Sequence, residues 1–573
     1  MEAIIRNILR LYLIGIYPII LVLCACFLLR KNIIRNSLRN NWKSILFNTI
    51  VIAIVGLIFI LVFFSFEDNI YSYDYAGHWI RALRLRELFF ENPYEILNSV
   101  YNSMNYNEYN NLAALLNLGF IVINTSYGFF VLSTFLGFLV PIIMLMNVLY
   151  FSYTKRYPLL PILISVVFYP LYLSVIYGEI DVIGILFVAI ACYLIVFQEY
   201  DQIDMVDNLF MNFLGFLMIF LRRWYLFVLV AIYFVYFVRY IVKHKNNLLT
   251  KESLVGFLKI LSSGIVLLFI ILVFFMPFFK MVVGNNFEEA YSFYNRSGKL
   301  NSLINFYSPV IIAVSIYGLY VIIKDKYFDI AVNLILLTVI PLLLFWRIQS
   351  LEYHHYYMIT LNILILFTVG IYSLLSMSRY MLLIIVFLLM QLPVVFCPKL
   401  DNNIPFFTDL RKYPVVLEYK KEVIDFTYYL KSIMTEDWQS AYLASGSSLL
   451  NDDMIRNSIL PDTDAPQIDT AVLDLRDGFP KDLKYIQFVI TIDPIQYSDS
   501  NYQHIYDIIT NAIEGDTIAS QIYKPIYKTN INGLEVTVHE LVGEFNDDVK
   551  KYFYEEMIKV YPEKKDYFKY ILE

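Results

Sequence analysis

The chain has 573 residues, of which 59% are hydrophobic and 17% aromatic, and its mean hydropathy is +0.59. That balance excludes a single large soluble domain and points to a polytopic membrane protein. A formal net charge of −6 offers no basic surface, so nucleic acid is not an expected partner.

The first apolar run, residues 11–29, has no small-residue cleavage site behind it and reads as a retained span rather than a signal peptide. Further runs of spanning length follow at 45–65, 127–151, 157–177, 182–197, 224–242, 257–279, 307–323, 328–345, 356–376 and 380–396. Residues 209–221 form a shorter candidate, and 112–122 suits a re-entrant or interfacial helix. Arg30, Lys31, Arg35, Arg39 and Lys43 lie in the first inter-span loop and place it in the cytoplasm. Lys155 and Arg156 then fall inside as well, and counting 209–221 as a span also puts the basic loops near Lys243 and Lys324 inside, so charge parity favours about twelve spans. The acidic loop 199–207 gains nothing from that placement.

With this topology four polar segments fall on the outer face. The first runs from residue 66 as FEDNIYSYDYAGHWIRALRLRELFF and opens the first large outer loop, 66–126. It carries Asp68, Asp74 and His78, then Arg81, Arg84 and Arg86, beside the aromatics Tyr73, Tyr75 and Trp79. Carboxylates, an imidazole and guanidinium groups at a membrane surface are the parts needed to activate a hydroxyl and stabilise a leaving phosphate. From 77 to 90 the sequence reads as an interfacial helix with Trp79, Leu83 and Phe90 on one face, its arginines at headgroup depth. Those arginines serve equally to snorkel or to bind a lipid-borne phosphate.

The second segment is Gly178-Glu179-Ile180-Asp181. Its carboxylates suit sugar hydroxyls or a proton, although Asp181 also stands where a helix N-cap is expected. In the third, Arg222-Arg223-Trp224-Tyr225 interrupts an apolar stretch, where cations are costly unless they meet a partner or a phosphate. The fourth, 346–357, contains Arg347, His354 and His355. Adjacent histidines diverge on a helix or strand and no third ligand is spaced with them, so a zinc site is not expected. Arg347 and one histidine suit a leaving phosphate instead.

After residue 397 the composition becomes polar, and 398–573 reads as a soluble α/β domain, outside by parity. Helices are expected at 415–433, 449–460, 502–513 and 545–560. Strands are expected at 440–444, 470–475, 485–492, 522–529 and 534–541, the last two joined by a hairpin at Asn532-Gly533. The four cysteines, Cys24, Cys26, Cys192 and Cys397, all lie in or beside apolar runs, which leaves this domain without disulfides.

An acidic motif in the first large outer loop, an interfacial helix after it and a terminal outer domain together resemble the GT-C superfamily of integral membrane glycosyltransferases. The bacterial members that use polyprenyl-phosphate sugars are the nearest in layout. The resemblance rests on residues 73–79 (YDYAGHW), the 178–181 turn, Arg222-Arg223-Trp224 and the 347–357 loop. One departure is an additional span before the motif loop. The resemblance implies an inverting transfer to a surface-glycan acceptor, with Asp74, or Asp68, acting on the acceptor hydroxyl and His78 nearby. It implies Arg222, Arg223, Arg347, His354, His355, Arg81 and Arg84 as donor-phosphate candidates, and Tyr73, Trp79, Glu179 and Asp181 as substrate-binding candidates. No cofactor is implied, and nothing supports a divalent metal. Two other classes fit a chain of this kind, a lipid-linked sugar transporter and a non-catalytic surface-assembly protein. Visible internal repeats, common in transporters, are missing.

Overall fold

The computed structural model describes residues 2–107, 110–154, 156–198, 203–246, 250–284, 299–348, 351, 353–377, 413–436, 439–461, 465–480 and 482–573. They form two compact units, Met1–Phe66 with Gly77–Pro414, and Glu67–Ala76 with Val415–Glu573. The expected span 380–396, Cys397 and the expected boundary at 397/398 lie outside the described residues.

The first unit is helical. Among the described residues six of its helices are long and apolar enough to cross a membrane, as in a multi-pass membrane protein. Helix α1 is Glu2–Leu29 and α2 is Asn32–Phe66. The expected basic loop therefore shrinks to a tight turn. At 1.5 Å per residue α2 is roughly 50 Å long, so its first turns, with Arg35, Arg39 and Lys43, exceed a hydrocarbon core of about 30 Å. Two further helices follow, α3 (Tyr73–Glu91) and α4 (Tyr94–Tyr106). Trp79 and Leu83 of α3 are buried, but Phe90 is exposed and its neighbour Phe89 takes the inward place. Helix α5 (Leu112–Ile121) is buried almost throughout, so it is a core helix rather than an interfacial one. Helix α6 (Tyr127–Tyr153) is a long apolar span.

The run 157–177 is not one continuous helix. It divides into α7 (Leu160–Val167) and α8 (Pro170–Ile176), because Pro170 has no N–H to continue a helix and disfavours helical geometry at the residue before it. The second piece is buried throughout and the first on half of its residues, the setting in which broken helices survive at membrane depth. Next come α9 (Val182–Phe197), α10 (Met205–Leu221) and α11 (Tyr225–His244). The acidic loop finds its reason here. Asp204 pairs with Arg30 at 2.7 Å and Asp207 with Lys31 at 2.6 Å, and the two acids close a capping box on α10.

The run 257–279 is also broken. Helix α12 (Lys251–Phe274) meets α13 (Met276–Gly284) at 105°, with Pro277 opening the second helix. The hydroxyl of Tyr101 donates to the Phe274 carbonyl at the break, at 2.8 Å. Helices α14 (Lys299–Tyr307), α15 (Pro309–Lys324), α16 (Phe328–Ile348) and α17 (Tyr357–Met377) follow.

The second unit is a five-stranded sheet in the order β2-β1-β3-β5-β4. Strands β1 (Ala441–Leu443), β2 (Ile468–Asp469) and β3 (Phe488–Asp493) are parallel, whereas β4 (Tyr523–Ile531) and β5 (Leu534–Leu541) are antiparallel. The expected strand 470–475 is a short helical turn at Asp474–Asp477 instead. Asn532 and Gly533 both have positive φ, 51° and 80°, as the tight hairpin turn requires. Helices α18 (Lys420–Ile433) and α19 (Asp452–Asn457) belong to one core, packed with Leu443 and Ile490, while α20 (His504–Glu514) and α21 (Asp547–Val560) belong to the other, packed with Tyr442 and Val489. Alternate residues of β1 and β3 thus feed opposite faces.

Candidate functional site

The site of the first unit begins at a helix end. Gly178, at φ 66°, is the left-handed residue that closes α8. Its N–H donates to the Val175 carbonyl at 3.0 Å and that of Glu179 to Ser174 at 2.9 Å, the two bonds of a Schellman motif. The chain then turns through Glu179 and Asp181 into α9. A second break, between α10 and α11, leaves Arg222 extended at φ −152°, ψ 124°.

These breaks bring ionisable groups together. The Arg222 Nε donates to Asp181 Oδ1 at 2.7 Å, and the Trp224 indole donates to the same oxygen at 3.1 Å. Arg222 Nη1 lies 3.0 Å from His78 Nε2, and the guanidinium stacks over the Trp224 ring at 3.9 Å. The Tyr225 hydroxyl donates to the Asp181 carbonyl at 2.8 Å. A side chain at Gly184 would collide with the Tyr225 ring, so glycine is what lets this tyrosine approach α9. Beside this group His354 Nδ1 lies 3.3 Å from Glu179 Oε1. His355 is enclosed by Phe345, Trp224 and His354, with ring centroids at 4.4, 4.8 and 4.0 Å.

All six ionisable groups are buried: His78 3%, Glu179 2%, Asp181 0%, Arg222 4%, His354 8% and His355 4% exposed. Charges at such depth are tolerated when paired and are retained where they are used. Burial, and then the Arg222 guanidinium, hold the His78 imidazole well below its ordinary value, which keeps it neutral. Burial raises the Glu179 carboxyl, against the pull of His354. The second oxygens of Glu179 and Asp181 accept no hydrogen bond among the described residues.

The structure corrects the capping expectation for Asp181. Asp181 stands at the N-cap position of α9, but its side chain makes no capping bond, because Arg222 and Trp224 claim its carboxylate. Trp79 donates its indole N–H to the Thr125 carbonyl at 2.8 Å and packs edge-on against Tyr127, a structural tie between α3 and the start of α6. Arg347 is exposed on the last turn of α16. Arg223 is half-buried next to Arg222. Arg81 and Arg84 line a separate open cleft of about 710 Å³ with Glu87, Glu91, Tyr106 and Asn111. Trp224 belongs to the Arg222-Arg223-Trp224 motif, and its grip on Asp181 appears only in the fold. The indole N–H beside two arginines was the available signal.

Asp68, Tyr73 and Asp74 belong to the second unit. Asp68 forms an ion pair with Lys420. Asp74 is half-buried in the first turn of α3, and no described residue donates to its carboxylate. Among the described residues no group of three or more His, Cys, Asp and Glu side chains is placed to hold a metal ion. No protein-family model matches the chain, and comparison with curated proteins finds no match.

Proposed function

We propose that this chain is a membrane glycosyltransferase of GT-C type, with about twelve spans, that moves a sugar from a polyprenyl-phosphate donor to a cell-surface glycan. In this reading it lies in the plasma membrane with its site and its α/β unit on the extracytoplasmic side. The observation that carries the proposal is the convergence of His78, Glu179, Asp181, Arg222, His354 and His355, from four segments far apart in sequence, into one buried cluster of an apolar helical unit. A site for a lipid phosphate needs cations held at such a depth, and buried cations need partners to hold them there.

The reaction is a single displacement. The acceptor oxygen forms a bond to the anomeric carbon as the bond to the phosphate oxygen breaks, and configuration inverts. Asp74 takes the acceptor proton, and the polyprenyl phosphate leaves as the anion. Arg222 is aimed by Asp181, and Arg223 beside it supplies a second guanidinium for phosphate oxygens. Neutral His78 keeps the local positive charge on Arg222.

A second reading has its own observation. The linked acid–base pairs Asp181–Arg222–His78 and Glu179–His354 are also the parts of a proton relay in a transporter of lipid-linked sugars. Flux into proteoliposomes without sugar transfer would favour that reading.

The test of transfer is Asp74→Asn with Asp68→Asn as its control, both assayed with a polyprenyl-phosphate sugar. Asparagine keeps the shape but cannot take a proton at neutral pH. General-base assistance is worth about a hundred- to ten-thousand-fold, so Asp74→Asn should fall by that order while Asp68→Asn keeps most activity. Survival of both variants would remove this loop from the chemistry.

A further inference from the structure

The ten residues Glu67–Ala76, which precede and include the candidate base, pack with the C-terminal α/β fold. The attachment is specific. Asp68 and Val416 form a parallel bridge, in which Asp68 N–H donates to the Val415 carbonyl at 2.9 Å and Leu417 N–H donates to the Asp68 carbonyl at 2.8 Å. Ile70 is 5% exposed and enters the core formed by Val423, Phe426 and Leu430. The Asn457 amide donates to the Tyr71 carbonyl at 2.8 Å. The Tyr73 N–H donates to the Asp453 carboxylate at 2.7 Å.

Tyr73 is the informative residue. Its φ is +55°, in the left-handed region that bulky residues avoid. Such conformations cost on the order of 1–3 kcal/mol and persist only where the surroundings enforce them. Here the enforcing group is Asp453, bonded to the N–H of the residue directly before Asp74. Asp453 stands at the start of α19, next to the buried Asp452 and three residues before Arg456, which pairs with both acids. The clamp is therefore itself held.

We infer that the α/β unit positions Asp74, with Asp453 and Asn457 as positioning residues that fix the backbone on which the carboxylate stands. This rests on the glycosyltransferase reading for the role of Asp74, but the clamp has its own physical signature.

The test uses the full chain in lipid nanodiscs. Backbone amide exchange over residues 67–76 should quicken at least tenfold in Asp453→Ala and in Asn457→Ala, while exchange in β3 and β5 stays as in the wild type. Unchanged exchange over 67–76 in both variants would overturn the clamp. In the transfer assay Asp453→Ala should lower kcat ten- to a hundredfold with KM for the lipid donor unchanged. Asp453→Asn, whose amide oxygen still accepts from Tyr73 N–H, should recover most of it. An Asp453→Ala variant that folds and keeps wild-type kcat would overturn the positioning role. If Asp453→Ala fails to fold, Asn457→Ala is judged by the same two measurements. A wild-type chain that transfers no sugar would refute the enzyme reading and with it the positioning role, while the exchange data would still decide whether the clamp exists.

Discussion

Asp181 and Arg222 form an ion pair of 2.7 Å whose side chains are 0% and 3% exposed, 41 residues apart in sequence. Breaking a buried pair by removing one partner leaves the other charge uncompensated and costs about 3–5 kcal/mol. Asp181→Ala and Arg222→Ala should each lower thermal stability strongly. The double variant should lose much less than the sum of the two. Additive losses in the cycle would mean that the pair is not coupled.

Arg223 follows Arg222 in the chain, is half-buried, and is the second cation proposed for the donor phosphate. Arg223→Ala should raise the apparent KM for a polyprenyl-phosphate sugar about tenfold or more, since charge-assisted hydrogen bonds are worth roughly 1.5–3 kcal/mol. Arg223→Lys should recover only part, because an ammonium lacks the guanidinium fork. Kinetics unchanged in Arg223→Ala would take it out of the site.

The side of the membrane is tested by labelling. Ser500 is an exposed turn residue of the α/β unit. Ser500→Cys should react with a membrane-impermeant thiol reagent in intact cells as readily as after lysis. Protection until lysis would reverse the topology.

A pH effect is expected from Asp452. Burial, reinforced by the neighbouring Asp453, pushes its carboxyl up to about 6. An unfolded aspartate titrates near about 3.9. Between those values the folded state binds the extra proton, so this group's contribution to stability grows as pH falls from about 7 towards 4 and is lost as pH rises through 6. Two units correspond to on the order of 3 kcal/mol, a net shift that already contains the opposing pull of Arg456. Asp452→Asn should therefore be the more stable protein at pH 7, with its advantage shrinking by pH 5. An advantage independent of pH would contradict the shift.

The cluster was legible because ionisable residues inside apolar runs are expensive and so announce themselves. Gly178 to Asp181 and Arg222 to Tyr225 stood out for that reason alone. The role of Asp181 was misread because a carboxylate at the start of a helix is the ordinary capping signal, and only the fold shows a guanidinium outcompeting the backbone. The broken helices were written in Pro170 and Pro277, which an apolarity count passes over. The sheet hairpin followed from Asn532-Gly533 because that turn chemistry is local. Nothing local marked residues 67–76 as part of the terminal fold. Their bonds join groups 380 and 386 positions apart.

That long reach governs the order in which the molecule is completed. On a ribosome the segment holding Asp68, Ile70 and Tyr73 emerges early, and the helix that supplies Asp453 and Asn457 is made only after the membrane helices between them. Domains made in sequence order fold as they appear, but this one cannot, since a piece of its core was synthesised at the outset. A fragment starting at Val415 would leave the place of Ile70 among Val423, Phe426 and Leu430 uncovered. Expression of the α/β unit alone should give a soluble, well-folded product only when residues 67–76 are supplied, either fused ahead of Val415 or added as a peptide.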